Sequence, residues 1–136
     1  MDNIAPLFRL FSDLDLVRIS RLARRHVESN APPPRAIQAI DEGESVPPVD
    51  VPPDVITMNS RFVLQNDDDE EKSLTLCYPE QADYAAGFIS VMSPLGGELL
   101  GRRVGERFSW DEGASRTIYH IVRLSYQPEA SGDYGV

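Results

Sequence analysis

The chain has 136 residues, with 13 Lys and Arg against 22 Asp and Glu, a formal net charge of −9, and a single cysteine. That charge argues against free DNA or RNA as the main partner, because such binding neutralises phosphates with Lys and Arg. One cysteine excludes an intramolecular disulfide and fits a reducing cytoplasm, and no run of eighteen apolar residues or basic leader after Met1 announces a membrane span or a signal peptide.

Such a length allows one modest core, or one core with a small appendage. Residues 4–11 are apolar apart from Arg9, and Pro6 prevents a clean helix, so this stretch is expected to be an extended lead-in or an irregular first turn. The first helix is expected to begin at Ser12-Asp13-Leu14-Asp15, with Ser12 as cap and Asp15 where a capping-box acid stands. Leu16, Ile19, Leu22 or Ala23, and Val27 form one apolar stripe at helical spacing. Arg18, Arg21 and Arg25 lie on another face, the one concentrated basic surface in an acidic chain. A solvated helix face or a contact to an acidic partner both account for it.

Three prolines at 32–34 end that helix after Glu28. A second short helix, Arg35 to Glu42 with Ala36, Ile37 and Ile40 inward, is expected to return antiparallel and to stop at Gly43. Residues 1–45 would then be a helical hairpin with Glu28 at its tip. Val46 to Pro53 is too rich in proline for helix or central strand and is expected to be an extended linker.

Residues 54–136 are expected to be strand-rich. Val55 to Thr57, Ser60 to Gln65, Lys72 to Tyr78, Phe88 to Met92, Phe108 to Trp110 and Ile118 to Tyr126 are the candidate strands. Asn66 to Glu71 is expected to be a turn, and 79–83 a loop. Between the strands, Ser93 to Gly101 has the marks of one short helix. Ser93 is placed to cap, Pro94 occupies the first helical position, Leu95, Leu99 and Leu100 share a face, and Gly101 stands at the left-handed stop. Strands on both sides of one short helix indicate an α+β fold, a twisted antiparallel sheet of four or five strands wrapped on that helix.

No residue constellation supports catalysis. The acidic run 67–71 lacks the glycine and spacing of a calcium loop and is expected to be a solvated turn. His26 and His120 stand alone, Cys77 in Leu-Thr-Leu-Cys-Tyr is expected to be a small buried residue, and Gly96-Gly97 lacks the lysine of a phosphate loop. The chain is therefore expected not to be an enzyme and to need no cofactor or metal.

Ser93-Pro94-Leu95-Gly96, then Leu99-Leu100-Gly101, then Val104-Gly105-Glu106 resembles the C-terminal domain of the Gre-type transcript cleavage factors of bacteria. Val55 to Arg61 before it and Tyr126 to Tyr134 after it look like the regulator of nucleoside diphosphate kinase family, a shorter relative of those factors. The resemblance covers 54–134 well and 12–45 loosely. It implies a domain like that of the FK506-binding prolyl isomerases, carried on the hairpin. It also implies a partner, RNA polymerase, with Ser93, Pro94 and Leu95 at the surface that docks on the secondary-channel rim. Gre-type factors hold a catalytic magnesium with paired acids at the hairpin tip. Here the tip offers Glu28 without a second acid, so polymerase binding without transcript cleavage is expected, in competition with longer factors. Two other readings stand beside this one. The basic face of Arg18, Arg21 and Arg25 would suit an acidic protein, including nucleoside diphosphate kinase. A prolyl isomerase would need Phe88, Trp110 and Tyr119 to converge on one pocket.

Overall fold

The computed structural model describes residues 9–28, 34–112 and 115–133, and side chains throughout these except those of 25–28 and 112. In chain order the elements are β1 (Arg9–Ser12), α1 (Asp13–Glu28), α2 (Arg35–Asp41), β2 (Gly43–Val46), β3 (Arg61–Gln65), β4 (Glu71–Cys77), β5 (Phe88–Ser90), α3 (Pro94–Leu99), β6 (Arg107–Glu112) and β7 (Ser115–Tyr126). The fold is α+β. Strands β3 to β7 form one five-stranded sheet in the order β5-β4-β3-β7-β6.

Two expectations change here. Of the lead-in, residues 4–8 lie outside the described residues and 9–11 are extended as one of the two readings had it: β1 pairs in parallel with β2, Arg9 opposite Gly43 and Ser12 opposite Val46. The two segments are far apart in sequence, and Gly-Glu-Ser-Val shows no apolar alternation, so no local pattern announces the pair. Gly43 accordingly starts a strand, while Glu42 caps α2 with its N–H on the Gln38 and Ile40 carbonyls. The proline-rich stretch that follows is not extended throughout, since Pro48–Asp50 makes a 3-10 turn and Val51 is buried.

Val55 to Thr57 does not form a strand. Val55 makes one bridge to Arg103, and Ile56 exchanges backbone hydrogen bonds with the chain leaving α3, N–H to the Arg102 carbonyl at 2.8 Å and carbonyl from the Gly101 N–H at 2.9 Å. The segment then turns through Asn59, whose φ is +67°. Ser60 is a turn residue, and the strand proper begins at Arg61. The sheet is also not wholly antiparallel, because β5 runs parallel to β4, with Thr75 opposite Phe88. The ten residues between them, 78–87, form a crossover containing two 3-10 turns, Pro79–Gln81 and Tyr84–Ala86. Direction reverses twice in that segment, and this returns the chain to the same end of β4.

Elsewhere the apolar pattern predicts the packing. Leu74 and Leu76 alternate inward from β4, and Asn66 holds the β3–β4 turn by accepting the Asp68 and Glu70 N–H groups on its side-chain oxygen at 2.9 and 3.0 Å. Ile19 is fully buried on α1, and Leu16, Leu22 and Ala23 are half-buried beside it. Phe11, Ile19 and Ala36 belong to the same hydrophobic cluster as Met58, Phe62 and Leu99. The helical segment and the sheet therefore share one core, and burial of this apolar surface is what holds them together.

Helix α3 sits at the centre of that arrangement. Ser93 caps it as expected, accepting the Gly96 N–H on its hydroxyl at 3.1 Å while donating to the Ser90 carbonyl at 2.6 Å. Leu95, Leu99 and Leu100 are buried, and Gly101 follows at φ +81°. Its two inner glycines allow close approach on both sides. A Cβ at Gly96 would lie 1.9 Å from the Ser90 carbonyl oxygen, and one at Gly97 would lie 2.4 Å from the Ala36 backbone nitrogen. The start of α2 therefore rests directly on α3.

The C-terminal carbonyls of α3 are satisfied by a residue from the far end of the chain. Buried Arg9 donates from Nη1 to the carbonyls of Glu98 at 2.9 Å and Leu100 at 2.7 Å, with a longer contact to Gly97 at 3.3 Å. Glu98 also receives Arg35 Nε at 2.8 Å and Arg102 Nη2 at 2.6 Å. Burial works against the Glu98 carboxylate, but the hydrogen bonds from Arg35 and Arg102 outweigh it and hold its pKa below the ordinary carboxylate range. Burial, then the neighbouring Arg102 and Arg35, lower the Arg9 pKa to about 10, which leaves it charged at neutral pH.

Candidate functional site

The residues singled out in the sequence fall into two separate grooves. The first lies at the start of α3. It encloses about 590 Å³ and is lined by Tyr84, Phe88, Pro94, Leu95 and Trp110, among others. Pro94 is exposed at the lip, Ser93 is half-buried, and Leu95 is 7% exposed and forms floor rather than surface. The cap explains this placement, since fixing Ser93 on the Ser90 carbonyl orients the first turn of α3 against β5. Phe88 and Tyr84 are large apolar side chains left 38% and 56% exposed. Ser90, Ser93 and Asp111 are the polar groups of the lining. Such a groove can hold apolar and aromatic side chains and offers hydroxyl and carboxylate oxygens to orient them.

Phe88 and Trp110 do converge here, but Tyr119 does not. Tyr119 is buried on β7 opposite Phe108 of β6, with ring centroids 5.8 Å apart, and the Lys72 ammonium lies 5.1 Å from the Tyr119 centroid. The three aromatics required for the isomerase reading are therefore not gathered in one pocket.

The second groove, about 780 Å³, lies between α1 and the sheet domain. Arg18 and Arg21 line it from α1, Asn59 from the turn before β3, Tyr78 and Gln81 from the crossover, and Tyr126 from the end of β7. The Arg18 guanidinium stands over the Tyr78 ring, 6.0 Å from its centroid. Burial, then the nearby Asp15 carboxylate, push the Tyr78 phenol up to about 12, with Arg18 opposing them. The side chains of Arg25 and Glu28 lie outside the described residues, as do those of His26 and Val27.

No described residue lines both grooves, yet one segment walls both. The crossover gives Tyr78, Glu80 and Gln81 to the second groove and Ala82 and Tyr84 to the first. Periodicity says nothing about such a segment, so sequence reasoning passed over Tyr84, Gln81 and Asn59. Residues 127–133 fold back onto the domain: Gln127 donates to the Pro52 and Val55 carbonyls at 2.8 and 2.7 Å, and Glu129 accepts from the Thr57 hydroxyl at 2.7 Å.

Asp15 was expected to serve the N-terminus of its own helix. The Ser12 cap forms, with the Asp15 N–H donating to the Ser12 hydroxyl at 3.0 Å. The Asp15 carboxylate, in the first turn of α1 and bonded to the Ser12 side chain, also accepts the Met58 N–H at 3.1 Å, tying α1 to the turn that leads into β3. Burial raises its pKa, the Met58 N–H opposes, and Glu129 adds to the rise, giving about 7.

Cys77 is buried with its thiol on the Ile89 carbonyl at 3.4 Å, and burial pushes its pKa up, which suits a packing role. Half-buried His120 lies on β7 opposite Arg107. Among the described residues no three His, Cys, Asp or Glu side chains are gathered as a metal site would require, and no helix is long and apolar enough to cross a membrane.

Residues 51–126 match the family described as transcription elongation factor GreA/GreB, C-terminal. Over 128 residues the chain is 38% identical to the regulator of nucleoside diphosphate kinase of Escherichia coli K12, covering 92% of this chain and 94% of that protein. It belongs to the regulator of nucleoside diphosphate kinase family, within the GreA/GreB group. The group's longer members align over less: a GreA elongation factor of Nitratidesulfovibrio vulgaris is 39% identical over 61 residues, 45% of this chain and 38% of that one. A solved GreA/GreB elongation factor from Nitrosomonas europaea superposes with a TM-score of 0.74 at 33% identity, covering 87% of this chain and 99% of that one. The GreA factor homolog 1 of Thermus thermophilus shares the fold at 18% identity, with a TM-score of 0.50. The Escherichia coli relative is named a regulator, and those of Nitratidesulfovibrio vulgaris and Nitrosomonas europaea are named elongation factors.

Proposed function

We propose that this chain is an RNA polymerase-binding transcription regulator that docks at the secondary-channel rim through the groove at Ser93, Pro94 and Leu95. The observation that carries the reading is the groove itself, an apolar and aromatic hollow whose lip is the capped Ser93-Pro94 start of α3. Aromatic side chains around a partly dehydrated hollow are the usual anchors of protein interfaces. Membership of the GreA/GreB group supports polymerase as the occupant. Residues 1–45 act as the short helical arm, 46–53 as its connection, and 54–136 as the docking domain, a fold akin to that of the FK506-binding prolyl isomerases. The basic face of Arg18, Arg21 and Arg25 contacts the same partner. Between Glu28 and Arg35 the sequence carries no second carboxylate, so the arm lacks the acidic pair needed to hold a magnesium, and the chain occupies the rim in the cytoplasm without cleaving transcript.

Competition decides this reading. Purified core polymerase is loaded with a labelled Gre-type factor and titrated with wild type or with Ser93→Asp/Pro94→Ala, the fold of the variant being checked by circular dichroism. Displacement by wild type and not by the folded variant supports rim docking. Failure of the wild type to displace or to bind overturns it. A second reading rests on the name of the 38% identical relative, namely regulation of nucleoside diphosphate kinase by direct protein contact. Co-sedimentation of the two purified proteins, with a change in phosphotransfer rate, tests that reading directly.

A further inference from the structure

We propose that the groove between α1 and the sheet domain is a binding site for a small phosphorylated aromatic ligand of the nucleoside diphosphate class. Its volume of about 780 Å³ lies within the range of small-molecule and cofactor pockets. Arg18 and Arg21 project from one face of α1 three residues apart, a spacing that makes side chains neighbours on a helix. Two guanidiniums so placed can straddle two linked phosphoryl groups, and their planar forks match phosphate oxygens better than ammonium groups do. Arg21 is exposed and makes no hydrogen bond or ion pair with any described residue.

The opposite wall has the complementary chemistry. Tyr126 brings an aromatic ring to the groove, and stacking on such a ring is tolerant of which base is present, while the Tyr78 ring is already covered by the Arg18 guanidinium. Asn59 and Gln81 add side-chain amides, each with donor and acceptor, of the kind that pair with the polar edge of a base. Glu80, on the exposed rim, is the lining's one carboxylate against two arginines. The Asp15 and Glu129 carboxylates also act on Tyr78, and burial raises the Asp15 pKa to about 7. An isolated phosphate would use the arginines and leave Tyr126 and the amides idle. The lining taken whole therefore favours an anion joined to a ring.

This site shares Arg18 and Arg21 with the basic face assigned to polymerase above, and its test uses the full chain alone, without polymerase. ADP, GDP and inorganic pyrophosphate are titrated calorimetrically into wild type and Arg21→Ala, and the contacted amides are located by nitrogen-15 NMR. The expected result is saturable binding of at least one of the two nucleotides, weakened roughly tenfold or more by Arg21→Ala, as loss of a charge-assisted phosphate contact implies. Pyrophosphate alone should bind at least about tenfold more weakly than that nucleotide, because stacking and amide contacts are missing. Shifts should fall on Asn59 and Gln81 and spare Ser93 to Leu95. Absence of saturable binding at millimolar nucleotide overturns the proposal, and so does unchanged affinity in Arg21→Ala. Pyrophosphate binding as tightly as the nucleotide removes the aromatic part and overturns it as stated. Should Arg21→Ala lose its circular dichroism signal, Gln81→Ala on the exposed loop replaces it, with weakened nucleotide binding expected and unchanged binding decisive against.

Discussion

The Asp15 carboxylate on α1 accepts the backbone N–H of Met58, 3.1 Å away and 43 residues later. This bond joins the helical segment to the sheet domain at a buried carboxyl whose pKa is raised to about 7. A raised carboxyl pKa means that the folded state binds the proton more tightly than the unfolded chain, whose Asp titrates near 3.9. The Asp15 contribution is therefore complete below about pH 4, declines as pH rises, and is lost above about pH 7. Urea unfolding should show stability falling across that window at up to ~1.4 kcal/mol per pH unit, relative to an Asp15→Asn variant whose amide oxygen can still accept the Met58 N–H. Glu98, with its pKa lowered from 4.5, acts in the opposite sense at the acid end, so above about pH 5 the Asp15 slope stands apart from it. Equal slopes in wild type and Asp15→Asn would mean that Asp15 is not the titrating group.

Ser93 supports both the helix and the groove lip, and its two bonds separate by substitution. Ser93→Ala removes the acceptor for the Gly96 N–H and should cost ~1 kcal/mol in thermal unfolding, the usual loss for a deleted cap. Ser93→Asp retains a cap acceptor but cannot donate to the Ser90 carbonyl when ionised. It should recover part of that stability while changing the charge of the lip. A Ser93→Ala melt equal to wild type would show that the cap contributes nothing here.

How much of this was readable in advance differs sharply between elements. Helix α3 was legible because every signal for it is local: a capping serine, a proline at the first position, a leucine stripe and a glycine at positive φ. The β4 alternation of Leu74 and Leu76 was legible for the same reason. The β1–β2 pair was not, because Gly43 to Val46 is a strand only through its partner at Arg9 to Ser12. Asp15 looked like half of a capping box, and nothing local says that its carboxylate crosses to Met58. The grooves followed the same division. Ser93 and Pro94 were found through their helix, whereas Tyr84, Asn59 and Gln81 come from turns that no period describes.

The contact between α2 and α3 predicts the behaviour of one glycine. In an open helix, replacing Gly by Ala gains ~1 kcal/mol. At Gly97 the new methyl would stand 2.4 Å from the Ala36 nitrogen and 2.9 Å from the Arg35 carbonyl carbon, and both are backbone. Overpacking of this kind typically costs ~1–3 kcal/mol, so Gly97→Ala should destabilise despite its better helix propensity. Limited proteolysis should cut more readily near 46–53 as α2 is pushed from α3. A Gly97→Ala protein more stable than wild type would contradict the close approach.

Arg9 poses the sharpest test of how the N-terminal segment is held. Its guanidinium closes the C-terminal end of α3 by bonding carbonyls there, at 2.9 Å to Glu98 and 2.7 Å to Leu100. Its more distant pairings, 3.8 Å to the Glu98 carboxylate and 3.9 Å to Glu42, are secondary. Arg9→Met keeps the apolar stem and removes the donors, so buried carbonyls lose their partner; the expected cost is roughly 2–4 kcal/mol in urea unfolding. Arg9→Lys should recover only part of that loss, since the lysine ammonium ends one bond short of the position of Nη1, the atom that reaches these carbonyls. Glu98 keeps Arg35 and Arg102 in either variant, so the effect is not that of an orphaned carboxylate. Wild-type stability in Arg9→Met would show that water replaces the guanidinium freely and that the shared core alone fixes this segment to α3.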